Sequence, residues 1–419
     1  MIAAGWHWGA QIGSPVLERM LERRVARGKE DAGRLGERRG EERTPRPPGR
    51  LLWCHAASVG EALSVLPVLA SLKRQDPALT VLFTTGTLTS ARLLQQRLPE
   101  LGLDRVIHRF VPLDVPAWAA RFLDHWRPDA AAFVESELWP NLLAACKTRG
   151  IPMMLVNARM SAGSLRRWRW VAGFARQVVG AFDCVHAQSA DYAHRLEQLG
   201  ARRLLAPGNL KLAAASLPVD AAEASRLSAL IGARPVWLAA STHPGEEALA
   251  ADVHNRLAPA HPGLLSIIVP RHPDRGAAVA AELGGVPRRS LGDGPPGGGL
   301  WLADTLGELG LFYTLAPIVF IGRSLVGRGG QNPLEAARFG AALAVGPHVG
   351  NFSEVAALLE KAGGLARVDD AAGLAGWINR MLLDAPDRAR MGSAARSVAT
   401  GESALPGRIA SALLELLPR

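Results

Sequence analysis

The chain has 419 residues, 48% of them hydrophobic and 21% charged. That length suits two domains with a core each, and the composition excludes low-complexity disorder, collagen and a small disulfide scaffold. Lys and Arg number 48 against 38 Asp and Glu, a net charge of +10 that points to an anionic partner: nucleic acid, anionic lipid or a phosphorylated substrate.

Cys54, Cys146 and Cys184 sit far apart in apolar stretches with no C-x-x-C pair. Buried thiols are expected, not a disulfide framework or a cysteine zinc site. No apolar run reaches the roughly 18–20 residues that span a bilayer, and no charged-then-apolar leader opens the chain, so the bulk of it is expected in the cytoplasm.

Residues 1–49 form a basic arm. Met1–Val16 is mildly apolar with Trp6 and Trp8, and Glu18–Arg50 holds eleven Arg and Lys against seven Asp and Glu. An aromatic, basic arm fits an interfacial membrane contact, and it equally fits a solvated helix. From Leu51 onward short apolar runs alternate with helical spacing. Leu51–Ala57, Thr80–Thr85, Val106–Val111, Ala130–Val134, Ile151–Asn157 and Cys184–Ala187 read as buried strands. Helices are predicted over Glu61–Lys73, Ser90–Leu98, Pro116–Trp126, Leu142–Thr148 and Asp191–Leu199. Ala-rich Leu212–Ala224, with Pro218, reads as a linker.

The pattern then restarts. Strands are predicted at Val236–Ala240, Leu264–Val269, Leu300–Ala303, Ile318–Ile321 and Ala342–Val345, and helices at Glu246–Leu257, Leu306–Leu315 and Pro333–Phe339. Gly292–Gly299 reads as an exposed loop. The fold class is therefore α/β: two Rossmann-like doubly wound domains, 50–216 and 217–395, facing a central cleft, with a C-terminal helical segment at 396–419. In such sheets ligands bind beyond the carboxyl ends of the strands.

The common phosphate motifs are missing. No G-x-x-x-x-G-K-[ST] occurs, and the literal G-x-G-x-x-G from Gly292 to Gly297 contains two prolines and leads into a strand. H-E-x-x-H and G-x-S-x-G are absent too, and no metal-ligand spacing appears. The polar residues gather instead at strand ends. His55-Ala56-Ala57-Ser58-Val59-Gly60-Glu61 turns a strand into a helix, and Ser58 with Glu61 has capping-box spacing. Glu61 is thus either a cap or a base placed where substrates bind.

Glu135-Ser136-Glu137-Leu138-Trp139-Pro140-Asn141 carries two carboxylates, at least one of which needs a hydrogen-bonding or cationic partner. One is read as structural and one as functional. Arg159 ends the next strand as an anion contact. Arg166–Trp170 alternates charge and indole, suiting a membrane or nucleic-acid surface or a solvated helix face. In the second half Ser241, Thr242 and His243 follow a strand, and Arg271 and His272 follow the next. Gly322–Glu335 brings glycines, including Gly330, ahead of Asn332 and Pro333, so that backbone amides can approach a phosphate. Glu335 suits ribose hydroxyls, or is a plain helix-terminus charge.

HAASVGE, ESELWPN, NARMS, STHPGEE, PRHPDR, DTLGEL and RGGQNPLEAA, in that order and spacing, resemble the 3-deoxy-D-manno-octulosonic acid (Kdo) transferases of lipopolysaccharide assembly. The likeness runs from about Gly36 to Phe352. It implies an inverting glycosyltransferase of the GT-B fold, using CMP-Kdo as donor and a bisphosphorylated lipid A precursor as acceptor. It also implies work against the anionic surface of the inner membrane, on its cytoplasmic side, with no cofactor, metal or nucleic acid.

Position by position, the resemblance makes Glu61 the general base and puts Glu137 on the acceptor side, where the strand-end reading adds Ser58 and Arg159. It assigns Lys211, Arg271, His272, Asn332 and Glu335 to the nucleotide sugar, and the strand-end loops add Ser241, Thr242, His243 and Gly330 to that site. The sequence departs from the family pattern at Ala213, often Asp, at Arg323, usually Gly, and at Gly327, often Glu. Two rival readings are another GT-B transferase using a UDP-sugar and a basic nucleic-acid-binding protein.

Overall fold

The computed structural model describes residues 2–213, 216–327 and 329–418. The chain divides into two units, Met1–Ala214 with Glu402–Arg419, and Ala215–Gly401.

The first unit is built on six strands: β1 (Leu51–Ala56), β2 (Thr80–Thr85), β3 (Val106–Phe110), β4 (Ala130–Val134), β5 (Met153–Ala158) and β6 (Cys184–Ala187). They pair in parallel in the order β3-β2-β1-β4-β5-β6. Successive side chains of a strand point to opposite faces, so each strand feeds two cores. Leu51 and Trp53 pack with Phe122, Trp126 and Phe133, whereas Leu52, Cys54 and Ala56 pack with Val65, Leu69 and Ala132. Both faces being covered explains why these strands read as continuous apolar runs rather than alternating ones.

The chain runs outward from β1 to β2 and β3, then returns to β4 on the other side of β1. The carboxyl ends of β1 and β4 therefore flank the point where the direction of winding reverses, which is where doubly wound sheets place their ligand crevice. The helix after β1, Val59–Gln75, starts at Ser58, whose hydroxyl accepts from the Glu61 N–H. The chain's last helix, Leu405–Leu414, lies against it, burying Leu405, Ile409 and Leu413 in the core of the first unit.

The arm ahead of β1 folds as helices Ile2–Ile12, Ser14–Ala26 and Leu35–Arg38. Leu21 is buried against Val115 and Trp118, and the Trp6 indole donates to Asp114 at 2.9 Å. The arm is thus packed on the first unit, while Trp8, Ile12 and Val16 stay exposed.

The second unit repeats the plan with β7 (Val236–Thr242), β8 (Leu265–Pro270), β9 (Gly299–Leu302), β10 (Ile318–Ile321), β11 (Ala342–Val345) and β12 (Leu365–Arg367). Their order is β12-β11-β10-β7-β8-β9, again all parallel, and here the reversal falls between β7 and β10. The predicted linker gives way at its far end to the helix Ala221–Ile231, because Asp220 caps it by accepting from the Ala222 and Glu223 N–H groups. The helix predicted from Leu306 starts at Leu309 instead, since Gly307 takes a positive φ of 85° in the turn before it. Likewise the helix opened by Pro333 stops at Ala337. The residue 395/396 boundary drawn from sequence lies inside the helix Ala385–Thr400, and the return to the first unit begins at Glu402.

All three cysteines are free and buried. Burial pushes the thiols of Cys54 and Cys146 up to about 12, so neither is a nucleophile near neutral pH.

Candidate active site

In the first unit the polar side chains converge where β1 and β4 end. Glu61 accepts from the Ala57 N–H and the Ser58 hydroxyl, both at 2.8 Å, while its own N–H reaches back to the Ser58 Oγ at 3.4 Å. The capping geometry is therefore real. It also locks the carboxylate rotamer at the mouth of the crevice. Burial raises its pKa, and the nearby charges of Glu137 and Glu135 raise it further against the two hydrogen bonds. A carboxylate held this way binds a proton more readily than an exposed glutamate.

The two carboxylates of the β4 loop have separate partners. Glu137 Oε2 takes the Trp139 indole N–H at 2.6 Å and lies 3.1 Å from Nε2 of the buried His55. Burial alone would raise Glu137, but the His55 and Trp139 contacts outweigh it and leave the carboxyl below its usual range. Behind His55, the Trp53 indole donates to the Thr84 hydroxyl at 2.8 Å, and that hydroxyl lies 3.0 Å from His55 Nδ1. Nδ1 also lies 3.1 Å from the Thr84 carbonyl oxygen, so the ring is fixed between β2 and Glu137.

Glu135 pairs with Lys211 at 2.8 Å. Lys211, read from sequence with the nucleotide loops, thus sits on the first unit, beside the end of β4. Glu135 and Asn157, at the ends of β4 and β5, have φ of 59° and 56°. Non-glycine residues pay of order 1–3 kcal/mol for that region, which marks strand ends shaped for something other than stability. Ser136 holds the next loop by donating to the Arg159 carbonyl at 2.9 Å, and Arg159 itself is exposed.

In the second unit the organising group is one that sequence reading passed over. Glu246 is fully buried, and its carboxylate accepts from the N–H groups of His243, Arg323, Ser324 and Leu325 at 2.6–3.1 Å. It fastens the loop after β7 to the loop after β10. Gly322 has to be glycine there, because a Cβ would come within 2.6 Å of the Ser241 carbonyl oxygen. Ser241 and Arg323 take φ of 54° and 57°. A glycine at the latter position would adopt that angle without strain.

Around this clamp the predicted nucleotide residues gather. His243 Nε2 lies 3.0 Å from the Gln331 amide nitrogen, and its ring meets His272 edge-on at 5.9 Å. Burial lowers the His243 pKa, with Arg323 and His272 adding to the effect against Glu246, so the ring is neutral near pH 7. Thr242 donates to Glu247 at 3.0 Å, and Glu247 also takes Arg275 at 2.8 Å. Arg271 is tied by its backbone to Thr242 and leaves its side chain exposed. Gly330 has a φ of 71°. Asn332 caps the next helix by accepting from the Leu334 N–H at 3.1 Å, and its amide donates to Glu335 at 3.4 Å. Arg328 of this loop lies outside the described residues.

Sequence reading missed Glu246, His55 and Gln331. A second acid beside the first in Pro-Gly-Glu-Glu was the one signal for Glu246, and it looks like an ordinary helix start.

A sequence model described as 3-deoxy-D-manno-octulosonic-acid transferase (kdotransferase) matches residues 33–214. The chain is 36% identical over 367 residues to a probable mitochondrial 3-deoxy-D-manno-octulosonic acid transferase of Arabidopsis thaliana, covering 84% of this chain and 81% of that one. It is 35% identical over 386 residues to the 3-deoxy-D-manno-octulosonic acid transferase of Bordetella pertussis, covering 90% and 89%. Among solved structures, Acinetobacter baumannii MurG superimposes over 88% of this chain and all of its own with a TM-score of 0.54 at 14% identity, a likeness of fold alone. With two parallel six-stranded sheets and relatives alike along most of its length, the chain belongs to the 3-deoxy-D-manno-octulosonic acid transferases, glycosyltransferases of the GT-B fold.

Proposed function

We propose that the enzyme transfers Kdo from CMP-Kdo to a hydroxyl of a bisphosphorylated lipid A precursor, with inversion at the anomeric carbon and Glu61 as general base. The observation that carries this reading is the Glu61 carboxylate. It stands at the end of β1, is held in one rotamer by Ala57 and Ser58, and has its proton affinity raised by burial and by two neighbouring carboxylates. As the acceptor hydroxyl attacks the anomeric carbon, Glu61 takes its proton.

Cytidine monophosphate leaves without prior protonation, so one carboxylate suffices where a glycosidase needs two. Arg271 is the cation of the second unit assigned to the departing phosphate. Glu335 is assigned to the ribose, and Ser58, Glu137 and Arg159 to the acceptor.

The place of work is the cytoplasmic face of the inner membrane, reached from the surface. No helix among the described residues is long and apolar enough to cross a bilayer. Instead Trp6, Trp8, Ile12 and Val16 are exposed on the arm, and Trp170 is 89% exposed at the end of a helix carrying Arg166, Arg167 and Arg169. Indoles beside arginines favour an anionic interface.

The test is mass spectrometry of a tetraacyl lipid A precursor incubated with CMP-Kdo and the purified protein, without added metal. A gain of one or more Kdo masses supports the reading. No gain, with CMP still bound, overturns the acceptor assignment.

A further inference from the structure

The basic arm also reaches the candidate base. Arg38 is 3% exposed, and its guanidinium binds the Glu30 carboxylate at 3.0–3.2 Å, the Val111 carbonyl at 3.3 Å and the Gly86 carbonyl at 2.7 Å. It also lies over the Phe110 ring, 4.6 Å from the centroid. From Gly86 the hydrogen bonds run on toward the crevice. The Gly86 N–H donates to the Ala57 carbonyl at 3.0 Å, and the Ala57 N–H donates to Glu61 Oε2 at 2.8 Å. Gly86 and Ala57 approach so closely that a Cβ at Gly86 would come within 2.8 Å of the Ala57 oxygen.

We infer that Arg38 is a positioning residue for Glu61: it pins Gly86, Gly86 pins Ala57, and Ala57 sets the angle and bond of the catalytic carboxylate. The inference rests on Glu61 being the base. A long-range tether of this kind suits a buried arginine, because its five donors anchor an arm loop, a strand end and a turn at once. A surface arm serving only as a membrane contact has no need to bury a cation beside β3.

The charged groups that face Glu61 are Glu135 and Glu137 from the β4 loop, with Lys211 on the former and His55 of β1 on the latter. Those facing Arg38 are Glu30, Arg24 and Glu37, with His108 of β3. When Arg38 lets go, the Ala57 bond weakens and Glu61 holds its proton more tightly.

The test compares the wild type, Arg38→Lys, Arg38→Met, Gly86→Ala and the double variant Arg38→Met/Gly86→Ala. It reads kcat and KM against pH, and the carboxyl titration of 13C-labelled glutamate, with Glu61 assigned from Glu61→Gln. Arg38→Met and Gly86→Ala should each lower kcat about tenfold with KM for CMP-Kdo unchanged. Each should also move the acid limb and the Glu61 titration up by about half a pH unit. The double variant should be no worse than the poorer single one, and Arg38→Lys should recover part of the loss.

Loss of thermal stability with wild-type kcat and an unmoved Glu61 titration, or additive effects in the double variant, overturns the inference. If Arg38→Met does not fold, Gly86→Ala decides alone by the same readouts. A wild-type kcat in Glu61→Gln instead overturns the base assignment, and the carboxyl titration then still reads the tether by itself.

Discussion

Glu61 serves two physical ends. As a cap it satisfies the Ala57 N–H and the Ser58 hydroxyl at the start of its helix, and in the proposed role of base it is a carboxylate whose ionisation Glu137 and Glu135 oppose. Glu61→Gln keeps the shape and one acceptor but removes the basic oxygen. It should leave CMP binding by calorimetry nearly intact and cut kcat by roughly 10²-fold or more. Because the base acts ionised and its pKa is raised, activity should fall on the acid side at a higher pH than an ordinary glutamate would give. Glu137→Gln removes one of the charges that raise it, so the acid limb of the kcat profile should move to lower pH. An unmoved limb would mean that another group sets it. Sequence exposed Glu61 and its cap spacing, but left open which of Glu135 and Glu137 had a partner. Both do, and the partners lie 76 and 82 residues away in the chain, beyond the reach of local pattern.

Among the elements, the loops after β7 and β10 are held by a single buried carboxylate. Four backbone N–H groups converge on Glu246 and satisfy its carboxylate oxygens at full burial. Glu246→Gln puts a donor where only acceptors fit, leaving amides unsatisfied at about 1–3 kcal/mol each. CMP affinity should drop at least tenfold, with a fall in Tm visible by calorimetry. A normal Kd would show that the clamp is not needed for the nucleotide.

At the edge of the other sheet, His108 on β3 is pushed down to about 3 by burial and by the charges of Arg34, Arg109 and Arg38, and burial with Arg408 holds His186 on β6 near 4. Unfolded, each takes up a proton near pH 6.5, so between that value and the folded pKa the unfolded state binds more protons. Stability should therefore decline as pH falls through this window, and His108→Gln should flatten the dependence of Tm on pH. The strands themselves were legible because both faces are buried. The short helices of the arm were not, since their polar, arginine-rich faces carry little periodicity.

For the whole molecule, the chain leaves the first unit after Ala214 and comes back at Glu402. Ile409, fully buried on the last helix, fills the core beside the Val59–Gln75 helix that carries Glu61. Ile409→Ala should cost about 2–5 kcal/mol in denaturant unfolding, although the residue lies near the end of the chain. The surplus of +10 should make binding to vesicles containing phosphatidylglycerol fall as salt rises from low to physiological ionic strength, as read by flotation. Salt-independent binding would assign the contact to the exposed indoles alone.

Sequence by itself determined the two α/β halves, the strands and the strand-end motifs that carry the family, because buried parallel strands and glycine-rich turns leave local marks. Tertiary structure alone decided that Lys211 sides with Glu135, that Glu246 joins the loops after β7 and β10, and that the arm sends Arg38 into the core. Those pairings join residues far apart in the chain, and burial and hydrogen-bond geometry set them only once the sheets have formed.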